Sequence, residues 1–377
     1  MLLSSGIPRG VGRASRVAQG KAAGEAAGGG ACRSCRRRQE SRVNTTHAAH
    51  VPEPDRHHAV LLGIGDYRPR RIVTNEEVCR TLDSSPEWIL RRSGIRTRCF
   101  AGPDETLADM AATAAGKALA DAGAAPDEVD RILVATMSDV GTAGTGAAGD
   151  GLAAEMARRL GTTAPAERVS AACAGFTVGL SLAAASVASG QARTCLVIGV
   201  ERMSDILDPT DRSTAFLFAD GAGAALVGRG TEPGIGTTVW GTDPALREAI
   251  TVREEPGRAA PVIRMRGSTV FRWAVTHLPG IVQDVLARSG VGPGDVQAFV
   301  PHQANLRIIE AVAESVGFPA EVAVARDIVD QGNTSAASIP LALNRMRTSG
   351  TLRGGDLAVL VGFGAGLTYA GTVVRIP

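Results

Sequence analysis

Lysine is nearly missing from the chain. Of its 40 basic residues only Lys21 and Lys117 are lysine, so an anionic partner has to be met by arginine. Long apolar runs are absent too: nowhere do about 18 apolar residues follow one another, and the start lacks the short apolar block and small-residue cleavage site of a secretory signal. No membrane contact is expected, and the core is expected in the cytoplasm. Cysteine is scarce, with six residues at positions 32, 35, 79, 99, 173 and 195. That is too sparse and irregular for a disulfide framework, and free thiols are the expectation. Positive charge is not concentrated on the folded part either. The net charge of +2 conceals ten Arg or Lys against four acids in residues 1–58, which leaves the remainder mildly acidic. Without basic helices, or basic strands interleaved with aromatics, no nucleic-acid partner is expected.

What is present is α/β sequence. With 44% hydrophobic and 21% charged residues, 377 residues can bury a sizeable core. Residues 1–57 contain GEAAGGG and CRSCRRR and almost no large apolar side chains, so they are expected to form a disordered Arg/Gly/Ala-rich tail whose removal leaves activity intact. The Arg-rich, acid-poor start is also similar to an organelle transit peptide. Cys32 and Cys35, with His47, His50, His57 and His58, have the residue types of a zinc site, but the segment has no apolar pattern to hold ligands in place, and no metal is expected. Organised sequence begins with a strand-like run over 59–64, broken by Gly65 and closed by Pro69. Residues 107–123 have helical spacing and a terminal glycine, and the next apolar run starts at Asp130 as a buried strand.

The chain echoes itself. ADAGAAPDEVDRILVAT and ARSGVGPGDVQAFVPHQ share a helix end, a Gly and Pro turn and a strand at an offset of 167 residues. The segment that begins AACAGF is echoed by the one that begins GNTSAAS at an offset of 160, with Cys173 opposite Asn333 and Gly190 opposite Gly350. Two similar βαβ-rich halves are therefore expected, residues 58–229 carrying Cys173 and residues 230–377 carrying His302 and Asn333. Corresponding helix starts would face a shared centre, where function should lie.

Three residues stand out there. Cys173 falls where the strand-like VSAA passes into a small-residue helix, and unpaired N–H groups at a helix start favour thiolate; the alternative is a small buried core cysteine. His302 follows an apolar strand and Pro301, with a helix beginning near Ala304, at the strand end where α/β proteins bind ligands. His277, the other histidine of the folded part, has the spacing of a satisfied helix residue. Asn333 sits in a turn before a helix, a position that usually caps. The glycine-rich VGFGAGLTYAG from Val361 allows close backbone approach and N–H donation.

Taken together, GIGDYRP, SSPEWILRRSGIRTR, SAACAGF, DPTDRSTAFLFADGAGA, PHQANLRI, QGNTSAASIP and GFGAGLTYAG stand in the order found in the β-ketoacyl-acyl carrier protein synthase III family of the thiolase superfamily, which residues 59–377 resemble. The resemblance implies a thiolase-like fold with a five-layered αβαβα core and a homodimer. It implies that Cys173 is the acylated nucleophile and that His302 and Asn333 bond the thioester oxygen of the extender. Backbone N–H groups of Cys173 and Ala365 would form an oxyanion hole, Ala365 standing where the family usually has glycine. Trp88 and Arg92 would flank the adenine of coenzyme A, Arg212 and Arg307 would make further contacts, and Asn305 would lie near the pantetheine arm. Acyl-CoA and acyl carrier protein are the implied partners and substrates, with no cofactor.

The chemistry is coherent by itself. Exchange of an acyl group between thioester and thiolate needs an activated thiol and an oxyanion hole, and decarboxylation of a malonyl thioester leaves an enolate whose oxygen needs two donors. The implied activity is decarboxylative Claisen condensation in fatty-acid or polyketide initiation. An alternative is transfer of the acyl group from Cys173 to an alcohol or amine of a specialised metabolite, against which Asn333 argues. A silent assembly subunit should lack the nucleophile. The chain departs from the family after ATMSD, where VGTAGTGAAGDG replaces a proline-bearing apolar loop, so the primer is left open.

Overall fold

The computed structural model describes residues 57–138, 151–258 and 260–377. The expected tail, with its Cys32/Cys35 pair, and the loop after ATMSD lie outside the described residues apart from His57 and Gly151. In chain order the first half supplies β1 (His58–Tyr67), β2 (Arg71–Thr74), α1 (Asn75–Val78), α2 (Pro86–Ser93), β3 (Thr97–Phe100) and α3 (Leu107–Ala122). β4 (Arg131–Ala135), α4 (Gly151–Leu160), β5 (Ala166–Val169), α5 (Gly175–Ala188), β6 (Thr194–Arg202) and β7 (Asp220–Gly230) follow. The second half supplies β8 (Val239–Gly241), the hairpin β9 (Ile250–Arg253) and β10 (Val262–Met265), α6 (Gly267–Arg288), β11 (Ala298–Pro301) and α7 (Leu306–Val316). It ends with β12 (Ala323–Val324), α8 (Ile328–Gln331), α9 (Ser338–Thr348), β13 (Leu357–Phe363) and β14 (Tyr369–Arg375).

The two main sheets have the same plan. One runs β1-β7-β6-β4-β5 and the other β8-β14-β13-β11-β12, each with parallel pairs at one side and antiparallel pairs at the other. Successive residues of the inner strands feed different cores, as a period of two requires. Leu133 and Ala135 face the layer that holds α5 and α9, whereas Ile132 and Val134 face α3 and α4. Likewise Leu360 points to the central layer and Val359 to the one with α6 and α7. The layers follow the order αβαβα, with one core between each sheet and its outer helices and a central core that packs α5 and α9 against both sheets.

Local signals explain the helix boundaries. Thr106 caps α3 with a reciprocal capping box to Asp109, and Gly123 ends it in the left-handed conformation. Gly65 does not break the first strand as expected, since β1 continues to Tyr67. Its missing side chain instead lets α3 lie against the strand, because a Cβ there would come within 2.3 Å of the Ala114 carbonyl oxygen.

The second echo is corrected at one end. α5 and α9 finish in register, with C-caps Ser189 and Ser349 and left-handed Gly190 and Gly350 160 residues apart. They begin 163 apart, at Gly175 and Ser338, because α5 has 14 residues and α9 has 11. At the helix starts, where the chemistry lies, Cys173 is therefore equivalent to Ala336 and Asn333 to Ser170.

Candidate active site

Cys173 lies in a 3-10 turn, Ala172–Ala174, that runs straight into α5. Ala172 enters the turn with φ 47, the left-handed region that costs a residue with a Cβ about 1–2 kcal/mol. The thiol is buried, 6% exposed, and the terminal glycine loop closes over it. A Cβ on Gly364 would stand 2.7 Å from the Cys173 nitrogen and 3.1 Å from its sulfur, so only glycine lets that loop approach. Burial pushes the thiol up to about 12, the negative charge of Glu201 adds to this, and hydrogen bonding to Ser335 opposes it. The low-pKa thiol expected from the helix start is not what the structure holds: loss of solvent outweighs the helix terminus, and the resting group is S–H.

His302 directly follows β11, and its helix begins at Leu306, two residues later than expected. The ring is buried, and loss of water pushes it down to about 3, so it is neutral. Its Nδ1 lies 2.6 Å from the Ser338 hydroxyl, whose oxygen accepts the N–H of Gln303 at 3.3 Å. With Ser338 donating to Nδ1, the imidazole proton sits on Nε2, the ring nitrogen left without a partner in the protein. Asn333 is pinned by an isolated bridge to the segment just ahead of β7: its N–H donates to the Leu217 carbonyl and its carbonyl accepts from the Ala219 N–H, both at 2.9 Å. Its Oδ1 accepts the Ser335 N–H at 2.9 Å, which leaves the amide N–H groups for the cleft. His302 and Asn333 are therefore two neutral donors. His277, by contrast, bonds the Trp273 carbonyl within α6, as a helix residue would.

Cys173, His302 and Asn333 line one cleft enclosing about 1090 Å³ of empty space, its open mouth included. Trp88, Arg92, Arg212, Asn305 and Arg307 line the same cleft, with the three arginines exposed. The Arg212 guanidinium lies 5.2 Å from the Trp88 ring centre, and Trp88 meets Phe216 edge to face at the same separation. Asn305 has a structural duty as well: its Oδ1 caps α7 through the Arg307 N–H, and its Nδ2 donates to the Arg92 carbonyl at 3.1 Å, tying α2 to α7. Ala365 is not on the cleft wall, whereas Gly364 is. The Gly364 N–H is spent on the Thr368 carbonyl, so the next donor along the loop is that of Ala365.

Beneath these residues lies a carboxylate that motif reading passed over. Glu201, at the end of β6, is fully buried and accepts from the N–H groups of Met137, Ser138 and Ala336 and from the hydroxyls of Ser138 and Thr136. Burial raises its pKa and those donors oppose the rise. Ser335, Ser338 and Gly364 were likewise not singled out. A glutamate in a long apolar run, IGVERM, is the one signal that could have drawn attention to Glu201.

A duplicated αβαβα scaffold with a buried thiol at a helix start, and a neutral imidazole and an amide lining the same cleft, is the arrangement of a thiolase-like condensing enzyme. Family models bear this out: residues 169–244 match 3-oxoacyl-acyl-carrier-protein synthase III and residues 286–376 match its C-terminal domain. The chain is 47% identical over 338 residues to β-ketoacyl-acyl-carrier-protein synthase III 1 of Streptomyces coelicolor, covering 85% of this chain and 97% of that one. It is 44% identical over 324 residues to the mycobacterial β-ketoacyl-acyl-carrier-protein synthase III of Mycobacterium avium, covering 84% and 95%. Among solved structures, the priming β-ketosynthase of a polyketide biosynthetic pathway superposes with a TM-score of 0.83 at 44% identity, over 87% of this chain and 99% of that one. The chain belongs to the β-ketoacyl-acyl-carrier-protein synthase III family of thiolase-like enzymes. It is a condensing enzyme of the acyltransferase type and needs no cofactor.

Proposed function

We propose that the enzyme loads an acyl group from acyl-CoA onto Cys173 and condenses it with a malonyl group carried by acyl carrier protein, starting a fatty-acid or polyketide chain. The convergence of Cys173, His302 and Asn333 on one cleft carries this reading. Cys173 attacks the thioester, with its own N–H and that of Ala365 holding the oxyanion. His302 Nε2–H and Asn333 Nδ2–H then bond the extender carbonyl and stabilise the enolate left when carbon dioxide departs. Neither donor carries a mobile acidic proton that would quench the carbanion, which is what a neutral imidazole and an amide offer over an imidazolium. Retention of Asn333 favours condensation over transfer to an alcohol or amine.

Arg92, Arg212 and Arg307, exposed at the mouth, fit the phosphates of coenzyme A, and Trp88 offers its adenine an aromatic face. Arg272 and Arg307 also present positive charge to an acidic carrier protein. The enzyme acts as a cytoplasmic homodimer in this reading, and no helix among the described residues is long and apolar enough to cross a membrane.

The test is intact-protein mass spectrometry after incubation with a panel of acyl-CoA thioesters, with native protein and Cys173→Ala, followed by malonyl-acyl carrier protein. Labelling that requires Cys173, and discharge with release of carbon dioxide and a β-ketoacyl product, is expected. Discharge to another acceptor without carbon dioxide would replace the proposal with the acyltransferase alternative.

A further inference from the structure

The cleft has two ends. Its mouth is marked by the exposed Arg92, Arg212 and Arg307, which fit the phosphates of coenzyme A, and Cys173 is buried below it. A thioester carbonyl carries its sulfur and its acyl chain on opposite sides. With coenzyme A filling the mouth, the primer chain is directed inward, past the thiol. The wall it meets there is set by the strand β4. Leu133 and Ala135 face the layer that holds α5, and a Cβ on Gly175, the first residue of that helix, would stand 2.8 Å from the Ala135 Cβ. Continued beyond the strand end, the same alternation brings Met137 to this face, roughly 7 Å further along. That step carries it past the helix start, and Met137 lines the cleft together with Cys173.

Methionine is ordinarily a poor wall, because its unbranched chain swings aside for a ligand. Here it is held at backbone and side chain. The Met137 N–H donates to both carboxylate oxygens of the fully buried Glu201, at 3.0 and 2.9 Å, and its sulfur accepts the Ser335 hydroxyl at 3.3 Å. Glu201 is steadied in turn by the hydroxyls of Thr136 and Ser138 and by the Ala336 N–H of the second half. Ser335 opens the turn Ser335–Ala337, which packs against the Ala172–Ala174 turn that carries Cys173. The Met137 sulfur is thereby fixed with respect to the thiol.

We propose that Met137 closes the inner end of the cleft and limits the primer to a short acyl chain. This rests on Cys173 being the residue acylated from acyl-CoA. A longer apolar chain would have to displace a side chain anchored through both its amide and its sulfur, whereas a chain that stops short of Met137 packs against it.

The test is the second-order rate constant for Cys173 acylation, read by intact mass, across straight-chain acyl-CoA primers from acetyl to octanoyl. The native rate should fall steeply beyond the short primers. Met137→Ala removes the wall beyond Cβ, and its ratio of octanoyl to acetyl rate should exceed the native ratio by about tenfold or more, the discrimination that a single methylene commands in an apolar pocket. Met137→Phe should lower the ratio of butyryl to acetyl rate; if thermal unfolding shows that it does not fold, Met137→Ala decides alone. A native enzyme that takes octanoyl as fast as acetyl overturns the assignment. So does a Met137→Ala ratio within twofold of native, including a loss equal for every primer, as a merely structural role would produce. Label that persists in Cys173→Ala, or no label from any primer on the native protein, overturns instead the reading on which it rests.

Discussion

In the first half, the chain leaves β5 at Val169, turns through Ala172 with φ 47 and enters a 3-10 turn ahead of α5. In the second, it leaves α8 at Gln331, turns through Ser335 with φ 46 and enters a 3-10 turn ahead of α9. The paths match, yet the functional residue follows the strained position in one turn and precedes it in the other. Cys173 is one residue after Ala172, inside the turn that runs into α5. Asn333 is two before Ser335, where the Ser335 N–H fixes its amide. A duplicated turn thus presents two different ends of itself, one as the seat of a buried thiol and the other as a rigid mount for a donor.

The largest effect that would sharpen this contrast is at the thiol. Cys173→Ala should abolish acyl-enzyme in intact mass, while its counterpart Ala336→Cys, one of the residues against Gly199, should not restore it. Next, Asn333→Ala or His302→Ala should slow carbon dioxide release by about two to three orders of magnitude, yet leave the acylation rate within a few-fold of native. Equal loss in both half-reactions would break the division of labour between the halves. Gly364→Ala should cost acylation about a hundredfold, since its Cβ meets the Cys173 backbone nitrogen at 2.7 Å and a displacement near 1 Å is enough. Single-turnover labelling of that variant, with circular dichroism to verify the fold, is the check.

The smallest effect is in stability against pH. His302 binds its proton at about 3 when folded and at about 6.5 when unfolded, so the unfolded chain takes up more protons between those values and stability falls as pH drops through that window. Asp220 acts the other way, since burial raises it to about 6 and the folded state holds the extra proton as pH falls. His302→Gln should therefore lose less thermal stability between pH 6 and 4 than the native chain does. An identical pH dependence of the melting temperature in the two proteins would show that His302 is not held neutral by burial.

The duplicated plan and the Cys, His and Asn positions were legible because each is carried by a short contiguous string: a helix end before a strand, or a polar residue at a strand-to-helix turn. The register between the halves was misread by three residues because the shorter α9 shifts the alignment at the helix start alone. Ser338 could not be recognised, since its role depends on His302, 36 residues away. Glu201 and Ala336 lie 135 residues apart in sequence and share no pattern. Gly364 was seen as one glycine among several, and only the distance to Cys173 singles it out.

By itself the amino-acid sequence determined the elements, their doubling and the types of chemical group at the helix starts, because these follow from periodicity and from residues within one turn of each other. Only the tertiary structure decided the protonation of those groups. Packing removed water from Cys173 and His302, set Ser338 against one ring nitrogen and placed a carboxylate under the thiol. Proton affinity depends on solvent and on neighbours brought together by folding, and neither is written in a local stretch of sequence.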